Sequence, residues 1–68
     1  MSDERFIATV EKMKVQEVAD VLRTLGFRID SVLRLGIIIG ALNGMGMDRI
    51  RKVNGVKNVE REKRNHAL

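Results

Sequence analysis

Cysteine, proline, tryptophan and tyrosine are absent from this 68-residue chain, and phenylalanine occurs only twice. Without cysteine there is no disulfide framework and no thiolate metal site, which excludes zinc knuckles and CxxC metal carriers and fits a reducing compartment. Without proline, glycine is left to punctuate the chain. No apolar run approaches the ~20 residues that a membrane-crossing helix needs. The opening Met1-Ser2-Asp3-Glu4-Arg5 is acidic and lacks an apolar leader segment. The expectation is a cytoplasmic protein with no membrane partner.

What is present is enough for one small domain, residues 1–68, near the lower size limit for a chain that folds without staples. Thirteen basic against nine acidic side chains give a formal charge of +4. Such a balance favours anionic partners but does not by itself define one.

The densest apolar stretch is Gly36–Gly44, reading G-I-I-I-G-A-L-N-G. Three successive β-branched residues favour extended backbone. The bracketing glycines mark turns, and Gly40 inside the run marks a close backbone approach. Ile37–Leu42 therefore reads as a central strand. Upstream, Arg5–Glu11 alternates as a strand, with Phe6, Ala8 and Val10 on one side and Ile7, Thr9 and Glu11 on the other. Met13–Leu25 then switches to helical period, with Val15, Val18, Ala19, Leu22 and Leu25 forming one stripe. Gly26 ends that helix as a left-handed cap.

Phe27–Leu35 is the next strand, and its alternation slips near Ser31–Val32, which predicts a bulge. Asn43 is the expected N-cap of a second helix running to about Val53, with Met47, Ile50 and Val53 inward and Gly44 and Gly46 weakening its first turn. Val56–Glu62 is the last strand. The order βαββαβ predicts an α+β fold, a ferredoxin-like sandwich with two helices on one face of a four-stranded antiparallel sheet. Ile38, Gly40 and Leu42 should face the helices. Ile37, Ile39 and Ala41 should lie on the open face beside Ile7 and Thr9, an apolar stripe that predicts a partner surface or a homodimer.

Catalytic chemistry is thin. His66 is the only imidazole, and Ser2 and Ser31 are the only serines, so no nucleophile constellation or paired metal ligand can be assembled. Lys12, Lys14, Lys52, Lys57 and Lys63 all fall at expected exposed positions, unsuited to a Schiff base. Gly44-x-Gly46 lacks the third glycine and the lysine of a phosphate loop. The expectation is no enzyme, no cofactor and no metal.

From Gly36 onward the sequence resembles the propeptides of subtilisin-type serine proteases and their free-standing inhibitor relatives. The residues that carry the likeness are the central strand, Leu42-Asn43, Met47 and Ile50 in the second helix, Val56, Val59-Glu60-x-Glu62, and the ending His66-Ala67-Leu68. The resemblance implies a trans-acting protease inhibitor or folding chaperone, or a propeptide-like module put to other use. In that family the open sheet face packs on two surface helices of the protease. Carried over, Glu60 and Glu62 would cap those helices, whose N-termini offer unpaired N–H groups and positive potential. Asn65, His66, Ala67 and Leu68 would lie in the substrate cleft, with residues 63–68 forming a flexible tail. Asn65 and the Lys63-Arg64 pair depart from the family's pattern.

Two alternatives share the topology. Ligand-binding regulatory modules of the ACT type place glycine after the first strand, where this chain has Glu11-Lys12-Met13-Lys14. Nucleic-acid binders stack bases on strand aromatics, and Phe6 is expected to face the helices instead. Nucleic acid therefore ranks last among the partners considered.

Overall fold

The computed structural model describes residues 4–62. Strand β1 is Arg5–Val10, followed by a 3-10 turn at Lys12–Lys14 and helix α1 at Val15–Leu25. Strand β2 is Arg28–Leu33, β3 is Ile37–Ala41, helix α2 is Asp48–Arg51 and β4 is Val56–Glu62. The sheet order is β2-β3-β1-β4 with every pair antiparallel, so β1 and β3 are central as expected. This is the ferredoxin-like α+β arrangement.

One core lies between the sheet and the helices. Phe6, Ala8, Val10, Ile38 and Val59 enter it from the sheet, Val15, Val18, Ala19 and Leu22 from α1, and Ile50 from α2. Phe6 and Phe27 meet edge to face, with ring centroids 5.8 Å apart at 76°, the geometry that ring quadrupoles favour.

Helix α1 ends where glycine permits it. Gly26 sits at φ +105°, its N–H donates to the Arg23 carbonyl, and the Phe27 N–H donates to the Leu22 carbonyl, both at 3.0 Å. That double closure satisfies carbonyls the helix would otherwise leave unpaired. Replacing Gly26 by alanine forces a Cβ into left-handed backbone; a stability loss of about 1 kcal/mol is expected in a urea titration. An unchanged midpoint would show that the cap contributes nothing.

Several boundaries differ from the sequence reading. The apolar stripe of the first helix is right, but the helix starts at Val15, and Met13 lies in the 3-10 turn before it. Lys14, expected exposed, is half-buried. The slip in β2 falls between Ile29 and Ser31, making Asp30 the extra residue; the sequence reading placed it one or two residues later. The same strand stops at Leu33, whose carbonyl already accepts the turn-closing N–H of Gly36.

The largest difference is the second helix. Asn43 is not its N-cap: its φ is +56° and its side-chain Nδ2 donates to the Gly26 carbonyl at 3.1 Å. An N-cap needs extended backbone. With Asn43 and then Gly44 both at positive φ, the chain reaches helical geometry only at Asp48 and holds it for one turn. Ile50 is nonetheless buried as expected, with Met47 and Val53 packed partly against the core.

Candidate functional site

The helices cover one face of the sheet, and none of the described segments covers the other. Strand alternation and register assign its residues in three rows. Arg28, Ala41, Arg5 and Glu62 form the first, running from β2 to β4. Ser31, Ile39, Ile7 and Glu60 form the second, and Leu33, Ile37, Thr9 and Asn58 the third. The centre is aliphatic. Ile7, Ile37 and Ile39 are half-buried, and Leu33 extends the patch to the edge.

The sequence reading placed Ile37 and Ile39 on this face, and they are there. Ala41 shares the face but not the exposure: it is only 2 % accessible and lies outside the main core cluster. The reason is polar. Its register neighbours Arg5 and Arg28 both reach Asp30, at 2.7 Å and 3.3 Å, and a methyl group between two such long side chains is roofed over. Ala41, expected among the contact residues, is therefore inaccessible to a partner on this face.

This ion cluster was not visible in the sequence, because Arg5 and Asp30 are far apart in the chain and the bulge that aims Asp30 has no local signature. The hydrogen bond from Arg5 and the charge of Arg28 hold the Asp30 carboxyl below its ordinary range, against partial desolvation, while the Arg5 guanidinium is held more firmly protonated. A lowered folded value means stabilisation present above the unfolded value near pH 4 and lost as pH falls through the folded one. Asp30→Asn is accordingly expected to lower the urea midpoint at neutral pH, with the gap from the parent protein closing below about pH 4. A gap that stays constant into strong acid would show that the carboxylate's charge is not what matters.

Glu60 and Glu62 lie on the open side of β4, paired with Ile7 and Arg5, whereas Val59 pairs with Ala8 and points into the core. Both are exposed, Glu62 at 4.0 Å from Arg5 and Glu60 accepting from Asn58 Nδ2 at 3.5 Å. The structure thus brings Ile37, Ile39, Glu60 and Glu62 onto one surface. Asn65, His66, Ala67 and Leu68 lie outside the described residues.

On the helical side, Val18, Val21, Leu25 and Val53 line a groove of about 530 Å³ between α1 and α2. Its size reaches the range of small-ligand sites, but it is open to solvent where such sites enclose most of their ligand. Among the described residues no three acidic or imidazole side chains gather as metal ligands would. No helix there is long and apolar enough to cross a membrane. A comparison with protein-family models, curated proteins and solved structures returns no match to this chain.

Proposed function

We propose that this is a non-catalytic protein-interaction domain whose helix-free sheet face docks on a subtilisin-type serine protease, as an inhibitor or folding chaperone. The observation that supports the reading is the shared surface: Ile7, Ile37 and Ile39 at the centre, overlain by none of the described segments, with the carboxylates of Glu60 and Glu62 two residues apart at one edge. An aliphatic patch of this kind on a small domain marks a contact surface more often than incidental exposure. Carboxylates beside it suit partner helices presented end-on, where unpaired N–H groups and the helix dipole attract negative charge.

The test is a titration of the full 68-residue chain into a subtilisin-type protease, beside a chain shortened to end at Glu62. Inhibition by the full chain, weakened at least about tenfold in the shortened one, is the expected result. Absence of inhibition, or inhibition that ignores the truncation, overturns the protease reading. Two copies of the chain would meet through the same face, so a dimer would compete with the protease. Sedimentation across a concentration series, with and without protease, separates the two.

A further inference from the structure

At one end of the sheet, β1 and β2 finish and β3 and β4 begin, and three turns are tied together there. The Val10 N–H donates to the Gly36 carbonyl at 2.8 Å, and the Glu11 N–H donates to the Gly55 carbonyl at 2.9 Å. These bonds hold the Lys12–Lys14 turn, the Arg34–Gly36 turn and the Asn54–Gly55 turn side by side. The tip they form carries three of the four most exposed large apolar side chains among the described residues: Met13 at 94 %, Leu35 at 74 % and Leu33 at 44 %.

Its charge is equally one-sided. Lys12 and Lys14 flank Met13, Arg34 precedes Leu35, and Lys57 stands beside Met13 across a shallow groove. The one carboxylate among them is Glu11, and it pairs with Lys57 at 3.9 Å. The opposite end of the sheet is the reverse. There Arg5 is matched by Asp30 with Glu62 nearby, Arg28 by the same Asp30, and Arg61 by Glu4. Among the described residues, Lys12, Lys14 and Arg34 make no ion pair, and they lie at the end where apolar side chains protrude.

We propose that this tip is a peripheral contact for an anionic lipid bilayer. Met13 and Leu35 would enter the boundary between headgroups and acyl chains, while Lys12, Lys14, Arg34 and Lys57 face the negative headgroups. A surface contact needs apolar insertion plus cationic attraction, each modest alone. The lack of a membrane-crossing segment bears on spanning and not on such a contact. Nucleic acid would use the cations but would leave Met13 and Leu35 in water, and both aromatic rings that could stack on bases are buried.

The experiment is co-sedimentation of the full chain with vesicles of phosphatidylcholine alone and of phosphatidylcholine containing about one-third phosphatidylglycerol, at low and high salt. The expected result is binding to the anionic vesicles that falls with salt, with little binding to the neutral ones. Met13→Ser/Leu35→Ser should weaken it at least about tenfold, and Lys12→Gln/Arg34→Gln should remove its salt dependence together with most of the binding. These side chains are exposed, so a thermal melt should show the variants folded. Failure to bind anionic vesicles at low salt overturns the proposal. So does binding that survives the Met13/Leu35 change, which would be charge adsorption alone, or equal binding to neutral vesicles. Ile39→Lys on the sheet face should leave vesicle binding intact, so this contact and the protease reading can fail separately.

Discussion

Gly40→Ala is expected to cost about 3 kcal/mol or more, enough to leave the domain largely unfolded at 25 °C. Gly40 lies on the core side of β3, paired with Phe6 on one flank and Ile29 on the other. At the Asp30 bulge the backbone of β2 closes over it, and a Cβ built there would collide with the Arg28 carbonyl oxygen. The end of the Phe6 ring is 3.0 Å from the same point. A ring can swing aside, but a carbonyl in a sheet cannot move without drawing its strand with it. Relief therefore means parting β2 from β3 and giving up ladder hydrogen bonds and core contact together. Overpacking a tight core costs about 1–3 kcal/mol even where side chains yield, and here the obstacle is backbone. A chain of this length holds only about 3–10 kcal/mol in total. Urea titration followed by far-ultraviolet circular dichroism reads the effect. Two controls identify the cause. Adding Phe6→Leu should not rescue the variant, because the ring is not the main obstacle. Gly46→Ala, at a position with open space around it and no positive φ, should be neutral or stabilising by up to about 1 kcal/mol. A folded Gly40→Ala protein with an unchanged midpoint would mean that β2 does not pack on β3 this closely.

That close approach was legible in the chain, because a glycine inside a β-branched run weakens its strand unless a neighbouring backbone needs the space. The topology was legible for a related reason: a strand period gives way to a helical one, with Gly26 marking the end of the first helix and Gly36 the turn between β2 and β3. The second helix shows where local patterning stops informing. Met47, Ile50 and Val53 have helical spacing and do face the core, yet only four residues around Ile50 are helical. Inward spacing needs only that the side chains converge, and a glycine-rich turn delivers that as well as a helix does. Asn43 favours both helix caps and left-handed backbone, and its bond to the Gly26 carbonyl, a contact between distant turns, decides which it adopts. The candidate surface divides the same way. Alternation alone puts Ile37 and Ile39 on the open face. The burial of Ala41 and the apolar tip at Met13 and Leu35 depend on strand register and turn packing that alternation does not encode.

If the open face docks on a subtilisin-type protease as proposed, Ile39→Lys is expected to abolish the inhibition, by about a hundredfold or more, while leaving the fold standing. Ile39 is at the middle of the open face, between Ile7 on β1 and Ser31 on β2, and contributes nothing to the core on the helical side. In the free domain a lysine there can lay its methylene stem over Ile7 and Ile37 and keep its ammonium in water, so the urea midpoint should move by less than about 1 kcal/mol. In the proposed complex the same ammonium would be trapped under the partner and desolvated without a counter-charge. A hundredfold loss corresponds to about 2.8 kcal/mol, a modest figure for an unpaired charge at the centre of an interface. Glu60→Gln with Glu62→Gln tests the edge of the same surface from the other sign. Removing both charges should weaken inhibition by about 1–2 kcal/mol, since each carboxylate acts on a helix end near solvent, where such terms are small. The ordering is the decisive part: the central isoleucine must matter more than the two acids together. If the acids dominate, the contact is electrostatic and runs along the β4 edge; if neither change alters inhibition, the open face is not where the protease sits.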